Sequence, residues 1–274
     1  DLAGGTWNAL GQWTLATTAT VQNGTVNLAA GSLAFPGLCG TARLSNLTLN
    51  GNLPSFTGGL RWNNVTLNGT ITATGTGTHE IVFEGTQTLT GTITSNLSGS
   101  GSLYLSNNAA GTLTIAAGAK VQGGNIDFQR TSSCLGGGNM TVVNNGTVDA
   151  NVAGREIDFT STPVGLTNNG SVLATAGNIL LSSGTNNGLF KISPGTSISV
   201  AGGALAIGTT STLEVELKGP PPSTANFGRL TSSNNAASAI ALNGTLKIRN
   251  VAAYTPTCGL EWNIVSSALL AAGT

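Results

Sequence analysis

The chain has 274 residues; Gly (40), Thr (40), Asn (28) and Ser (24) make up nearly half of it, and ten Lys plus Arg balance ten Asp plus Glu. Charged residues supply 7% where an ordinary globular domain carries about 25%, yet 39% of the chain is apolar and its net charge is zero, which excludes disorder driven by self-repulsion. The charges are scattered with no run longer than two, so there is no footprint for nucleic acid or an anionic membrane, and no apolar stretch approaches the roughly 20 residues of a membrane span.

The N-terminus (Asp1, Leu2, Ala3, Gly4, Gly5) has neither the basic nor the apolar region of a signal peptide and reads as the start of a mature or excised segment. Trp7 and Trp13 stand either as a plug over the first turn of the fold or as core filler. A signature then begins: Asn or a small residue, Gly, Thr or Ser, and a branched or apolar residue. It appears as Asn23-Gly24-Thr25-Val26, Asn68-Gly69-Thr70-Ile71, Thr90-Gly91-Thr92-Ile93, Ala110-Gly111-Thr112-Leu113, Asn145-Gly146-Thr147-Val148 and Asn169-Gly170-Ser171-Val172, with a looser copy at Asn187-Gly188-Leu189-Phe190. After the 45 residues from Gly24 to Gly69, which hold two units, the glycine intervals are 22, 20, 35, 24 and 18 residues.

Between glycines the pattern is strand-like. Thr70-Ile71-Thr72-Ala73-Thr74, Ile81-Val82-Phe83-Glu84 and Thr86-Gln87-Thr88-Leu89 read as three short strands per unit, and no window has helical apolar spacing. The expected fold is all-β: a parallel β-helix (β-solenoid) of nine or ten coils, about 4.8 Å apart, with an antiparallel β cap at its C-terminal end. Residues 1–203 would form the solenoid and 204–274, which hold the densest charge and Pro220-Pro221-Pro222, the cap. Val26, Ile71, Ile93, Leu113, Val148 and Val172 are expected to form an inward aliphatic ladder. Outward Thr, Ser and Asn would bond to like neighbours, outward charges would meet identical charges, and Gly and Asn would mark corners by tolerating positive φ. An antiparallel sandwich is the alternative, but it leaves the one-coil recurrence unexplained. The 35-residue interval predicts a protruding loop or an extra coil around residues 128–139.

Three cysteines, Cys39, Cys134 and Cys258, lack metal-ligand spacing, and His79 is the single histidine, so neither a metal nor a cofactor is expected. Cys39 and Cys134 fall in irregular stretches; a Cys39–Cys134 disulfide forms if those loops converge, and free or intermolecular thiols are the alternative. Nine N-x-[S/T] sequons follow from the Asn-Gly-Thr corners and would carry glycans only in a eukaryotic secretory source.

The run from Asn144-Asn145-Gly146-Thr147-Val148 through Ile157-Asp158-Phe159 to Asn168-Asn169-Gly170-Ser171-Val172 and Asn186-Asn187-Gly188 resembles the coils of filamentous haemagglutinin-type and autotransporter passenger proteins. Leu213 to Gly219, Arg229-Leu230 and Leu242 to Ile248 are similar to the segment that ends many such passengers. The resemblance covers roughly residues 20 to 265. It implies a right-handed parallel β-helix displayed on a bacterial cell surface, and carries no catalytic residue; the membrane barrel of the autotransporters is absent from this sequence.

Catalytic chemistry has few candidates. Glu156 with Asp158, beside Arg155, is the leading carboxylate pair, followed by Glu214 with Glu216 and Glu80 with Glu84; glycoside hydrolysis needs two such groups about 5 to 10 Å apart. The competing reading of Glu156 and Asp158 is a solvated outer strand face, of Glu214 and Glu216 a cap surface, and of His79 an exposed turn. Gly99-Ser100-Gly101 only loosely matches a nucleophile elbow. Thr70-x-Thr72, Thr92-x-Thr94 and Thr112-x-Thr114 would make a three-coil ice-binding ladder. The sequence therefore points to a non-enzymatic, extracellular structural or adhesive solenoid: a stalk, adhesin segment or surface-filament subunit whose partners are a host or neighbouring cell surface, a glycan or further copies of itself. A carbohydrate-active β-helix enzyme and an ice-binding solenoid are the alternatives.

Overall fold

The computed structural model describes residues 1–28, 32–35, 37, 42–129, 131–132, 136–160, 164–232, 239–251, 253–266 and 270–271. Cys39 and Cys134 lie outside these residues, as does any bond between them; Cys258 is an exposed free thiol. Among the described residues the only helical element is the single 3-10 turn Thr224–Asn226.

Among the described residues the strands wind into three long, entirely parallel sheets of nine, twelve and eight strands, here faces 1, 2 and 3 in the order in which each coil visits them. One coil is Thr92–Leu97, Ser102–Asn107 and Gly111–Ile115; the next is Lys120–Gly123, Ile126–Gln129 and Met140–Asn144. The chain is a parallel β-helix. Twelve levels on face 2, at about 4.8 Å each, give a rod on the order of 50 Å long.

Alternating apolar residues line the interior in straight columns. On face 1 the buried register runs Leu53, Ile71, Ile93, Val121, Val148, Val172, Phe190 and Leu213, and ends on the exposed Leu246. On face 2, Leu103, Ile126, Ile157, Ile179, Ile198 and Leu230 form another, and Phe128 stacks on Phe159 with ring centroids 4.2 Å apart. All six expected ladder residues are wholly buried, but they do not form one ladder. Leu113 belongs to face 3, where it pairs with Val142, and Val26 lies in the long strand Thr20–Asn27 of face 2.

Among the described residues the faces have nine, twelve and eight levels, around the expected nine or ten coils, and two corners lack the signature glycine. Ala119 and Ser211 accept from the strand above, Thr147 N to Ala119 O at 3.0 Å and Thr245 N to Ser211 O at 2.9 Å, just as Gly146 O does from Ser171 N. The long interval after Gly111 contains a short antiparallel pair, Thr131–Ser132 with Gly136–Gly137. Beyond residue 204 the strands still pair in parallel with the coil before them. Thr212–Leu217 joins Leu189–Ile192 on one side and Thr245–Asn250 on the other. Antiparallel pairing among the described residues there is one bridge, Leu217 to Phe227, and not the expected sheet-like cap.

The signature glycines serve close approach and not positive φ. A Cβ on Gly170 would sit 2.2 Å from Gly146 O, and on Gly188 2.1 Å from Gly170 O, so at these levels a bare Cα is what lets the coils approach this closely. Left-handed backbone occurs instead at Asn23, Asn46 and Asn64 (φ 59°, 50° and 51°), where three long strands bend through a corner of their own.

Candidate functional site

The outer surface is organised by ladders of amide and hydroxyl side chains. Asn27 Nδ2 donates to Asn8 Oδ1 at 2.8 Å, Asn50 to Asn27 at 2.9 Å and Asn68 to Asn50 at 3.0 Å. Two residues earlier on the same strands, Thr6, Thr25, Thr48 and Thr66 are in register. The same corner further along carries Asn145, Asn169 and Asn187, linked at 3.0 and 3.1 Å. Beside it a second ladder runs inside the protein: Asn144 Nδ2 donates to Asn168 Oδ1 at 2.7 Å, and Asn168 Nδ2 to Asn186 Oδ1 at 2.6 Å, with all three residues wholly buried. The Asn-Asn-Gly triplet thus supplies an inner amide, an outer amide and a bare corner. The expected three-coil Thr-x-Thr array is not formed. Thr70 and Thr72 stack on Thr92 and Thr94, but Thr112 and Thr114 lie on face 3, because Gly111 opens a face 3 strand.

Toward the C-terminal end of face 1 the charges alternate in sign along their columns, contrary to the expectation of like on like. Lys191, Glu214 and Lys247 occupy successive levels of one column on face 1. Lys247 Nζ lies 2.6 Å from Glu214 and Lys191 Nζ 2.8 Å from Glu216. Glu214 and Glu216 are therefore largely buried ion-pair partners and not cap surface. Burial resists ionisation of Glu216, but the bonds from Lys191 and Ser193 and the charges of Lys191 and Arg249 prevail and hold its pKa below the ordinary value. Elsewhere Lys120 reaches Asp149 at 3.2 Å, and Glu84 binds both Arg43 and Arg61.

Face 2 holds like charges in register, Arg43 on Arg61 and a column of acids. Glu80, Tyr104, Asp127 and Asp158 follow one another in register along one outward column, and Glu156 opens the Asp158 strand. Asp127 directly faces Asp158 across about 4.8 Å of strand spacing with like charge on like. The Asp127 carboxyl is pushed up to about 6, by burial first and then by the charges of Asp158 and Glu156. Burial, and then Asp158, also raises Glu156, while burial and the neighbouring Asp127 and Glu80 raise Tyr104. Glu80 is wholly buried and accepts from Ser106 Oγ at 2.6 Å.

The structure thus brings Glu156 and Asp158 together on one strand, as their spacing predicts, and adds Asp127 and Tyr104, which sequence reasoning missed. Arg155 turns elsewhere, donating to Gly99 O at 2.6 Å. A carboxyl titrating near 6 has the proton affinity of a general acid, and the register sets a second carboxyl on the next strand beside it, the pairing from which glycosidases are built. His79, expected in an exposed turn, is 6% exposed; its Nδ1 accepts from Gly58 N at 2.9 Å, its ring packs on Phe56, and burial lowers its pKa. Glu84 is taken up by its arginines, so the Glu80 and Glu84 pair is divided between two environments.

Among the described residues no group of three or more His, Cys, Asp or Glu is arranged to hold a metal ion, and no helix is long and apolar enough to cross a membrane. No protein-family model, curated protein or solved structure matches the chain.

Proposed function

We propose that this chain is an extracellular structural and adhesive rod, a stalk or surface-filament segment that presents a rigid polar surface to a neighbouring cell, a glycan or further copies of itself. The observation that carries the reading is the paired asparagine ladders. Side chains bond from coil to coil both inside and outside the stack, so bending the rod must break side-chain as well as backbone bonds. The likeness of the Asn-Asn-Gly coils to filamentous haemagglutinin-type and autotransporter passengers supports display outside a bacterial cell. Two measurements test this. Native protein treated with proteinase K should be cut only in exposed loops, and beads coated with it should adhere to cell surfaces above the blank. Rapid digestion of the coils, or no adhesion to any surface tried, would remove the support.

A second reading, a carbohydrate-active β-helix enzyme, is favoured by the Asp127 and Asp158 contact alone. It requires release of reducing ends from a polysaccharide and loss of that release in Asp127→Asn.

A further inference from the structure

The fold pairs most of its cations. Arg43 and Arg61 hold Glu84, Lys120 holds Asp149, and Lys191, Lys247 and Arg249 surround Glu214 and Glu216. Arg229 makes no ion pair among the described residues. It opens the strand Arg229–Ser232 on face 2, opposite Ser197, and its Nε, like that of Arg61, is buried with no hydrogen-bond partner. A buried guanidinium nitrogen left unpaired is costly, and such groups mark places where a ligand completes the bonding.

Arg229 lines a cleft of about 270 Å³. Pro222 and Phe227 form an apolar side of it, and Thr224, Glu261 and Asn263 supply hydroxyl, carboxylate and amide groups on the remaining sides. The volume suits one sugar residue. The planar fork of an arginine fits a carboxylate, an apolar wall fits the C–H face of a pyranose, and the hydroxyl, amide and carboxylate fit its ring hydroxyls.

We propose that this cleft binds a carboxylate-bearing sugar, a uronic acid residue of an acidic polysaccharide, with its carboxylate on Arg229. The assignment gives the adhesive reading a ligand class and rests on that reading for its biological use. A peptide with a free carboxyl terminus shares the carboxylate but makes no use of Glu261 and Asn263 as partners for several hydroxyls, so the sugar is the better match.

The test is a heteronuclear NMR titration of the whole chain with methyl galacturonate's free acid form, methyl glucoside and a short peptide bearing a free carboxyl terminus. The uronate should shift the Arg229 Nε–H resonance and bind in the millimolar range, with the glucoside silent. Arg229→Lys, which keeps the charge but loses the fork, should weaken binding by about tenfold or more. Asn263→Ala, on an exposed residue, should weaken it without disturbing the fold, which keeps the test decisive should Arg229→Lys fail to fold. No shift with uronate, equal binding of the glucoside, or binding of the peptide alone would overturn the proposal. Proteinase K resistance of the same sample reports on the rod independently, so a failed ligand and a failed rod are distinguishable.

Discussion

Asn168 donates its side-chain amide to Asn186 Oδ1 at 2.6 Å, and both residues are wholly buried. Asn144 donates in turn to Asn168 Oδ1, so the middle asparagine is both donor and acceptor in an internal ladder whose ends also bond to backbone carbonyls such as Ser171 O. An amide in a core is tolerated only where its bonds are made, and here each coil makes them for the next.

Replacing the middle rung should therefore cost more than replacing its outer neighbour. Asn168→Ala strands the groups of two other buried asparagines and should lower stability by about 2–3 kcal/mol, whereas the exposed Asn169→Ala should cost less than about 1 kcal/mol. Chemical denaturation of the two variants checks the order, and equal losses would count against the internal ladder.

Gly170 should resist replacement for a steric reason. Gly170→Ala places a methyl 2.2 Å from Gly146 O and should destabilise by about 1–3 kcal/mol or more. Gly165 has open space around its Cα and no positive φ, so Gly165→Ala should be near neutral. Thermal melts of the pair separate close packing from general glycine loss.

These two contrasts show where sequence reading succeeded and where it stopped. Period-two alternation and the recurring corner made the parallel stack legible, because identical units must bury identical positions. The corners at Ala119 and Ser211 were not, because they lack the glycine that marks the others. The meeting of Asp127 with Asp158 was hidden for a related reason. The antiparallel pair of Thr131–Ser132 and Gly136–Gly137 lies between them in the chain, so their separation does not match a coil. Alternation of charge along a column was equally invisible, since Lys191, Glu214 and Lys247 are neighbours only through register. Arg229 has no local signature at all; its cleft is assembled from the 221–227 loop and residues 261–266.

The carboxylate column predicts an unusual pH response. Asp127 titrates at about 6 when folded and near its ordinary value when unfolded, so the folded state binds the proton more tightly. Its ionisation destabilises the protein above about pH 6, and stability should rise as pH falls from there toward about 4. Below that range the lowered Glu216 acts in the opposite sense: its ion-pair stability is present above the ordinary carboxylate pKa and is lost as pH falls through its folded value. Asp158→Asn should move the Asp127 titration down and raise the melting temperature at pH 7. Carboxyl NMR titration and melts at pH 5 and 7 read both effects; an unmoved Asp127 would show that the column is not coupled.

The Thr and Asn columns at residues 6–8, 25–27, 48–50 and 66–68 form a regular outward array. If the array serves rigidity, the protein should show no thermal hysteresis in a nanolitre drop at millimolar concentration. A hysteresis gap abolished by Thr48→Tyr would transfer the account to ice binding.

The central claim, a rod that holds a surface without turning it over, is tested most directly by mixing the protein with insoluble acidic polysaccharides, sedimenting them, and assaying new reducing ends in the same tubes. The account predicts that the protein sediments with the polysaccharide and that no reducing ends appear over a day at pH 5 to 7. Release of reducing ends that disappears in Asp127→Asn would contradict it.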